Sequence, residues 1–180
     1  MPKPTKILNI PGSALVVLIG VAGSGKSTFA NARFRATEVL SSDRFRGLVS
    51  DDEGDQEASD DAFSLLHVVL ETRLRRGKLC VIDATNVRAE YRAQLLTAAR
   101  KFGRPAVAIV FDTPKEICIA RAAARADRAV SARVIRDQFK AMGSQTDEEL
   151  LREGFRKVYR LELEDRVEMR RTAAVAARAR

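Results

Sequence analysis

Residues 14–28 read ALVVLIGVAGSGKST, and this stretch decides the fold of the chain. Its first half, residues 14–20, is a continuous apolar run rich in β-branched side chains that ends in glycine, which is typical of a buried strand in a parallel sheet. Residues 27–35 follow the glycine-rich segment and predict a helix. A strand, a glycine loop and a helix in immediate succession indicate a parallel α/β fold.

The glycine loop indicates a site for phosphate groups. Gly20–Ser27 matches the pattern G-x-x-x-x-G-K-S/T at every fixed position. Such a loop turns backbone N–H groups towards phosphate oxygens, and the helix that follows adds its positive dipole. Lys26 is expected to reach the β- and γ-phosphates of ATP, and the Ser27 hydroxyl is expected to ligate Mg²⁺. The predicted nucleotide-binding residues are Gly20, Gly23, Ser24, Gly25, Lys26, Ser27 and Thr28.

The rest of the chain continues the alternation of strands and helices. Strands are predicted at 38–41, 79–82 and 106–111, with an edge strand at 7–10 and a last strand at 155–163. Helices are predicted at 63–77, 88–102, 114–126 and 131–142, with one helical turn at 45–48. This order predicts an α/β, three-layer P-loop kinase fold with a central parallel β-sheet. We assign residues 1–170 to this domain and 171–180 to a basic C-terminal tail.

Composition and charge restrict the class of protein. The 180 residues suit one globular domain, and the segment before residue 14 has no apolar core of the kind a secretory signal requires. No apolar run is long enough to span a membrane, and two widely spaced cysteines favour a reducing, cytoplasmic setting. The net charge of +8 comes from 24 arginines and 8 lysines against 24 acidic residues. It favours a polyanionic partner, although genomic base composition also produces arginine-rich chains.

A candidate acceptor site follows the predicted second strand, which ends at Ser41. Asp43 lies directly after this strand, where a carboxylate can accept the proton of an attacking hydroxyl. Arg46 lies close behind and can hold an anionic part of the acceptor. Alternatively, Asp43 caps the helical turn that follows it.

Two further features concern the donor phosphates. Arg121, Arg125 and Arg128 are spaced to converge from one helical segment, which predicts an arginine-rich lid or, alternatively, a solvated helix face. Asp83 ends the third predicted strand, where it lies near Mg²⁺ or orients Arg46; alternatively it caps the next helix.

The tyrosines, at positions 91 and 159, are too isolated in the sequence to suggest base stacking.

Four blocks of sequence, in this order, resemble the 5′-hydroxyl polynucleotide kinase domain of bacterial end-healing enzymes. They are GVAGSGKSTFA (20–30), SSDRFRGLVSDDEGDQ (41–56), GKLCVIDATN (77–86) and RAAARADRAVSARVIRDQF (121–139). The resemblance implies ATP and Mg²⁺ as cofactors and the 5′-OH ends of RNA or DNA as acceptors. It assigns Asp43 as the general base and Arg46 as the acceptor-site arginine. It also assigns the lid to Arg121, Arg125 and Arg128.

The chain departs from the resembled enzymes at its end, because it stops at Arg180, where they continue into phosphatase and ligase-like domains. We therefore expect separate or fused phosphatase and ligase components as partners, and no such activity in this chain. Two other functions remain open from the residues. One is a P-loop kinase for a small-molecule hydroxyl, as on a sugar, nucleoside or antibiotic, and the other is a nucleotide-dependent switch without an acceptor.

Overall fold

The computed structural model describes residues 4–125 and 130–174. The strands are β1 (Lys6–Pro11), β2 (Leu15–Ile19), β3 (Val39–Ser41), β4 (Cys80–Asp83), β5 (Ala106–Phe111), β6 (Lys157–Leu161) and β7 (Val167–Thr172). The helices of the described residues are α1 (Lys26–Arg33), α2 (Ser42–Ser50), α3 (Ser59–Arg75), α4 (Ala89–Lys101), α5 (Lys115–Ala123), α6 (Ala132–Met142) and α7 (Asp147–Glu153). Within the described ranges, every helix is too short or too polar to span a membrane.

The central sheet has five parallel strands in the order β3-β4-β2-β5-β6. Because the strands are parallel, their carboxyl ends lie along one edge, and Ser41 of β3 is in register with Asp83 of β4 there. The phosphate loop leaves β2 at the same edge, next to β4. The topology therefore brings the donor and acceptor residues predicted from sequence to one side of the sheet.

The three layers follow from the alternation of buried side chains along β2, all of whose residues are buried. Leu15, Val17 and Ile19 belong to one core cluster, which contains the inward-facing residues of α3 and α4. Val16 and Leu18 belong to a second cluster on the other face, formed with α1 and β1. Side chains of β2 are buried on both faces, which is why its sequence is a continuous apolar run rather than an alternating one. The predicted α/β fold with a central parallel sheet is confirmed.

The structure differs from the sequence prediction in several places. The turn at 45–48 is part of α2, a helix of nine residues. Helix α7 was not predicted, although Thr146 and Glu149 form a capping box whose two partners are visible in the sequence. The last strand of the sheet ends at Leu161, and a further strand, β7, pairs in parallel with β1. Residues 171 and 172, which we placed in the tail, lie in β7.

Candidate active site

The phosphate loop has the backbone conformation that its glycines allow. Gly23 and Gly25 have φ angles of +80° and +100°, in the left-handed region that other residues rarely adopt. Gly25 is the N-cap of α1, so the loop leads directly into the amino end of that helix. Lys26, the first residue of α1, is buried, and its Nζ donates to the carbonyl of Val21 at 2.8 Å. Lys26 thus bridges the two ends of the loop.

Burial lowers the pKa of Lys26 to about 8, and nearby charges act on it in both directions. The carboxylates of Asp83 and Asp43 oppose this fall, while the guanidinium of Arg125 adds to it. All three side chains are therefore close enough to influence the lysine. The structure brings together one predicted donor-binding lysine, two predicted carboxylates and one predicted lid arginine.

Asp83 ends β4 beside the phosphate loop, and the Ser27 hydroxyl donates a hydrogen bond to its carboxylate. Burial raises the pKa of Asp83, while this hydrogen bond and Lys26 oppose the rise. Asp83 does not cap the next helix, because α4 begins six residues later with Arg88 as its N-cap. A hydroxyl and a carboxylate in contact are hard oxygen donors of the kind Mg²⁺ prefers, so Ser27 and Asp83 fit the predicted metal role.

Asp43 and Arg46 lie one turn apart on α2 and form an ion pair between Oδ1 and Nη2. Ser41, not Asp43, is the N-cap of α2, so the alternative capping role of Asp43 is wrong. Arg46 is 8% exposed, and its Nε donates to the carbonyl of Glu53 at 2.9 Å. The acidic segment after α2 thus fixes the arginine through its backbone, a role that sequence reasoning did not assign to it.

The two predicted lid arginines that the structure describes border a cavity beside the phosphate loop. This cavity has a volume of about 460 Å³ and is lined by Gly23, Gly25, Arg121 and Arg125. Arg121 lies on α5, whereas Arg125 follows the end of that helix at Ala123, so the predicted helix to 126 is too long. Arg128 lies outside the described residues.

Aromatic and aliphatic side chains from distant parts of the chain also line this donor cavity. Phe29 of α1 and Phe111 of β5 contribute aromatic rings that meet edge to face at 5.5 Å. Leu161 at the end of β6, Leu163, and Val167 at the start of β7 add aliphatic side chains, and the acidic residues Glu162 and Asp165 of the same stretch line the cavity as well. Apolar side chains next to a phosphate cradle have the character expected of a nucleoside pocket.

Three contacts that shape the phosphate loop were not foreseen from the sequence. The Thr113 hydroxyl donates to the carbonyl of Ser24 at 2.9 Å, and the N–H of Ala22 donates to Gln138 Oε1 at 2.8 Å. A Cβ atom on Gly23 would overlap the carbonyl oxygen of Cys118. The partner residues are 89 to 116 positions away in the chain, and no local pattern marks them.

Gln138 lies on α6, so its bond to Ala22 ties the phosphate loop to the helix above it. Replacing Gln138 by methionine keeps the length of the side chain but removes the acceptor. We expect amide exchange at Ala22 to accelerate about fivefold, the scale of one hydrogen bond worth about 1 kcal/mol. Hydrogen exchange followed by NMR measures this, with Lys140→Met, an exposed residue of α6, as the control. Unchanged exchange at Ala22 would show that the bond does not hold the loop.

A parallel sheet, a phosphate loop between its β2 strand and α1, and helices above the carboxyl edge define the P-loop class of phosphate-binding folds. Residues 15–149 match the AAA domain family AAA_33. The chain belongs to this family.

Solved structures share the P-loop kinase fold at low sequence identity. A sugar kinase from Janibacter sp. HTCC2649 is 21% identical with a TM-score of 0.58, covering 84% of this chain and 86% of that one. A gluconokinase from Sinorhizobium meliloti 1021 is 18% identical with a TM-score of 0.53, covering 85% and 84%. A chain of the Pnkp1/Rnl/Hen1 RNA repair complex is 22% identical with a TM-score of 0.59, covering 74% and 44%. At these identities, the likeness concerns the fold.

One curated relative matches part of the chain. Transcription factor bHLH140 of Arabidopsis thaliana is 31% identical over 114 residues, which are 62% of this chain. The chain spans 11% of the length of that relative.

Proposed function

We propose that the protein is an ATP-dependent kinase that phosphorylates the 5′-OH end of RNA or DNA. The observation that carries the proposal is the pair of Asp43 and Arg46 at the edge where β3 ends. A carboxylate beside a buried, fixed guanidinium suits a hydroxyl that has an anionic group next to it. A polynucleotide end has this chemistry, because the first internucleotide phosphate lies beside the 5′-hydroxyl.

The reaction transfers the γ-phosphoryl group in line. The acceptor oxygen forms a bond to the γ-phosphorus, the bond from that phosphorus to the β–γ bridging oxygen breaks, and the hydroxyl proton passes to the Asp43 carboxylate. Lys26 and the guanidiniums of Arg121 and Arg125 offset the charge on the phosphates, and ADP leaves. Mg²⁺, when held by Ser27 and Asp83, screens the phosphate charge.

The positive charge of the chain supports a polynucleotide acceptor. The last 60 residues hold 15 basic and 10 acidic residues, and the whole chain carries +8. The electrostatic field of this positive charge does not help to bind a small neutral acceptor, whereas it attracts a polyanion. The four sequence blocks that resemble end-healing kinases support the same acceptor, and a neighbour in fold comes from an RNA repair complex.

A small-molecule kinase is the competing function, and the acceptor itself decides between the two. The protein is incubated with labelled ATP and Mg²⁺ and one of four acceptors: a 5′-OH oligonucleotide, a nucleoside 3′-monophosphate, a carboxylated sugar or a neutral sugar. We expect transfer to the first two. Efficient transfer to a sugar, without transfer to the oligonucleotide, would overturn the proposal in favour of its competitor. ATP hydrolysis without any acceptor would favour a switch.

Arg46 gives a prediction that separates the acceptor phosphate from the hydroxyl. We expect Arg46→Ala to raise the KM about 30-fold for acceptors with a 3′-phosphate, the scale of a charge-assisted hydrogen bond worth about 2 kcal/mol. The KM for a nucleoside without phosphate should change little. Steady-state kinetics on the matched acceptors measures this, with Arg44→Ala, an exposed arginine of the same helix, as the control. An equal rise in KM for both acceptors would show that Arg46 does not bind the acceptor phosphate.

A further inference from the structure

Two aromatic rings from different helices stack against each other on the side of the sheet where the candidate acceptor site lies. Phe63 of α3 and Tyr91 of α4 have ring centroids 6.2 Å apart and planes inclined by 10°. Tyr91 is 48% exposed, although its ring rests on a half-buried phenylalanine. The sequence does not reveal the pair, because the two residues are 28 positions apart and each alone looks isolated.

The two rings lie at the amino ends of their helices. Helix α4 follows β4, so it starts at the carboxyl edge of the sheet, and Tyr91 is its third residue. Helix α3 ends before β4 begins, so it starts at that same edge, and Phe63 is its fifth residue. The segment that joins α2 to α3 contains Glu53, whose carbonyl fixes Arg46. The rings are therefore on the side of the sheet where Asp43 and Arg46 lie.

An exposed arginine lies one helical turn before Tyr91 in the sequence. Arg88 is the N-cap of α4, three residues before Tyr91, and it is exposed. Among the residues described, neither its guanidinium nor the Tyr91 hydroxyl has a hydrogen bond or an ion pair. A half-exposed ring suits a nucleobase, which stacks on aromatic faces, and Arg88 offers a positive charge to a phosphate among the carboxylates of Asp60, Asp61 and Glu90 in the first turns of the two helices.

We propose that Tyr91, supported by Phe63 and accompanied by Arg88, is a stacking platform for a nucleobase of a single-stranded acceptor. This inference rests on the proposed function. It explains how the acceptor site binds a polynucleotide strand rather than a single nucleoside. Stacking on an aromatic ring tolerates any base, so the platform gives affinity for strands without sequence preference.

The kinetic test compares acceptors of different length. We expect Tyr91→Ala to raise the KM for an eight-nucleotide 5′-OH oligonucleotide about five- to tenfold, the low end for one stacked base. The KM for a nucleoside 3′-monophosphate and the kcat on both acceptors should stay unchanged. Tyr91→Phe keeps the ring and should behave as the wild type. Leu151→Ala removes a side chain of similar exposure, 46%, from α7 and serves as the control. Equal KM values for Tyr91→Ala and wild type on the oligonucleotide would overturn the platform.

A second measurement does not depend on catalysis. The chain has two tyrosines and no tryptophan, so Tyr159→Phe leaves Tyr91 as its one tyrosine fluorophore. We expect an eight-nucleotide oligonucleotide to change the fluorescence of this variant, and Arg88→Ala to weaken the salt dependence of its binding. A fluorescence change without phosphoryl transfer would retain the platform and overturn the kinase proposal. Phosphoryl transfer with unchanged fluorescence would retain the kinase and overturn the platform.

Discussion

Replacing Lys26 by methionine is expected to lower kcat by roughly 10²- to 10³-fold, whatever acceptor is offered, because one preorganised charge at the transferring phosphoryl group is lost. The effect should not depend on acceptor length or phosphate content, since Lys26 lies in the phosphate loop. The assay uses saturating ATP with an oligonucleotide and a nucleoside 3′-monophosphate. Near-normal turnover on either acceptor would contradict the role of Lys26.

The same variant should be more stable than the wild type towards unfolding. Burial lowers the pKa of Lys26 from 10.5 to about 8, so between these values the unfolded chain binds the proton more tightly than the folded chain. The free energy of unfolding should therefore rise as pH increases from about 8 to 10.5. This gain in stability is lost again as pH falls through 8. Lys26→Met should lack that part of the pH dependence and melt at a higher temperature at neutral pH. Thermal unfolding across this pH range measures both effects.

Replacing Asp43 by alanine is expected to lower kcat by about 10²- to 10⁴-fold, the scale for removing a general base. ATP binding should survive, because Asp43 lies on α2 and the donor cavity is lined from the phosphate loop and α5. Turnover with saturating oligonucleotide and equilibrium binding of ATP are measured on the same preparation. Asp43→Asn controls for size, since it keeps the shape of the side chain and removes the base.

In Asp43→Ala, the loss of kcat should be accompanied by a small change in the KM for the acceptor. Asp43 holds Arg46 through an ion pair, so the alanine variant frees the guanidinium and alters the KM for phosphate-bearing acceptors as well. Comparison with Arg46→Ala separates the two contributions, because Arg46→Ala leaves the carboxylate in place. If kcat were normal in the Asp43 variant, the carboxylate would have no role in proton transfer.

The elements nearest to the phosphate loop could be predicted from sequence because they depend on local patterns. The run in β2 and the loop that follows it decide the fold, and the observed sheet has its phosphate loop at the expected strand end. Asp43 and Asp83 could be located because they lie at the carboxyl ends of buried strands. Their positions after the predicted strands were enough to place these two residues on one side of the sheet, because the carboxyl ends of parallel strands lie along one edge.

The parts that sequence could not predict depend on contacts between distant segments. Gln138 reaches Ala22 across 116 positions, and Phe63 meets Tyr91 across 28, so neither contact has a periodicity to detect. Strand β7 was missed for a different reason. All six of its residues are exposed or half-exposed, so it lacks the apolar run that marks a buried strand. Its partner β1 is 161 residues away in register, from Lys6 to Val167.

The pairing of β1 with β7 has a consequence for synthesis of the chain on the ribosome. β1 leaves the ribosome long before β7, so the two-stranded sheet cannot form until the residues of β7, up to Thr172, have been made. Closing a loop of this length is slow, because contacts between distant residues form late in folding. Val167 of β7 lines the donor cavity, so this part of the lining is completed together with the pairing. A nascent chain that already has its phosphate loop therefore acquires the complete donor cavity only after β7 has been made.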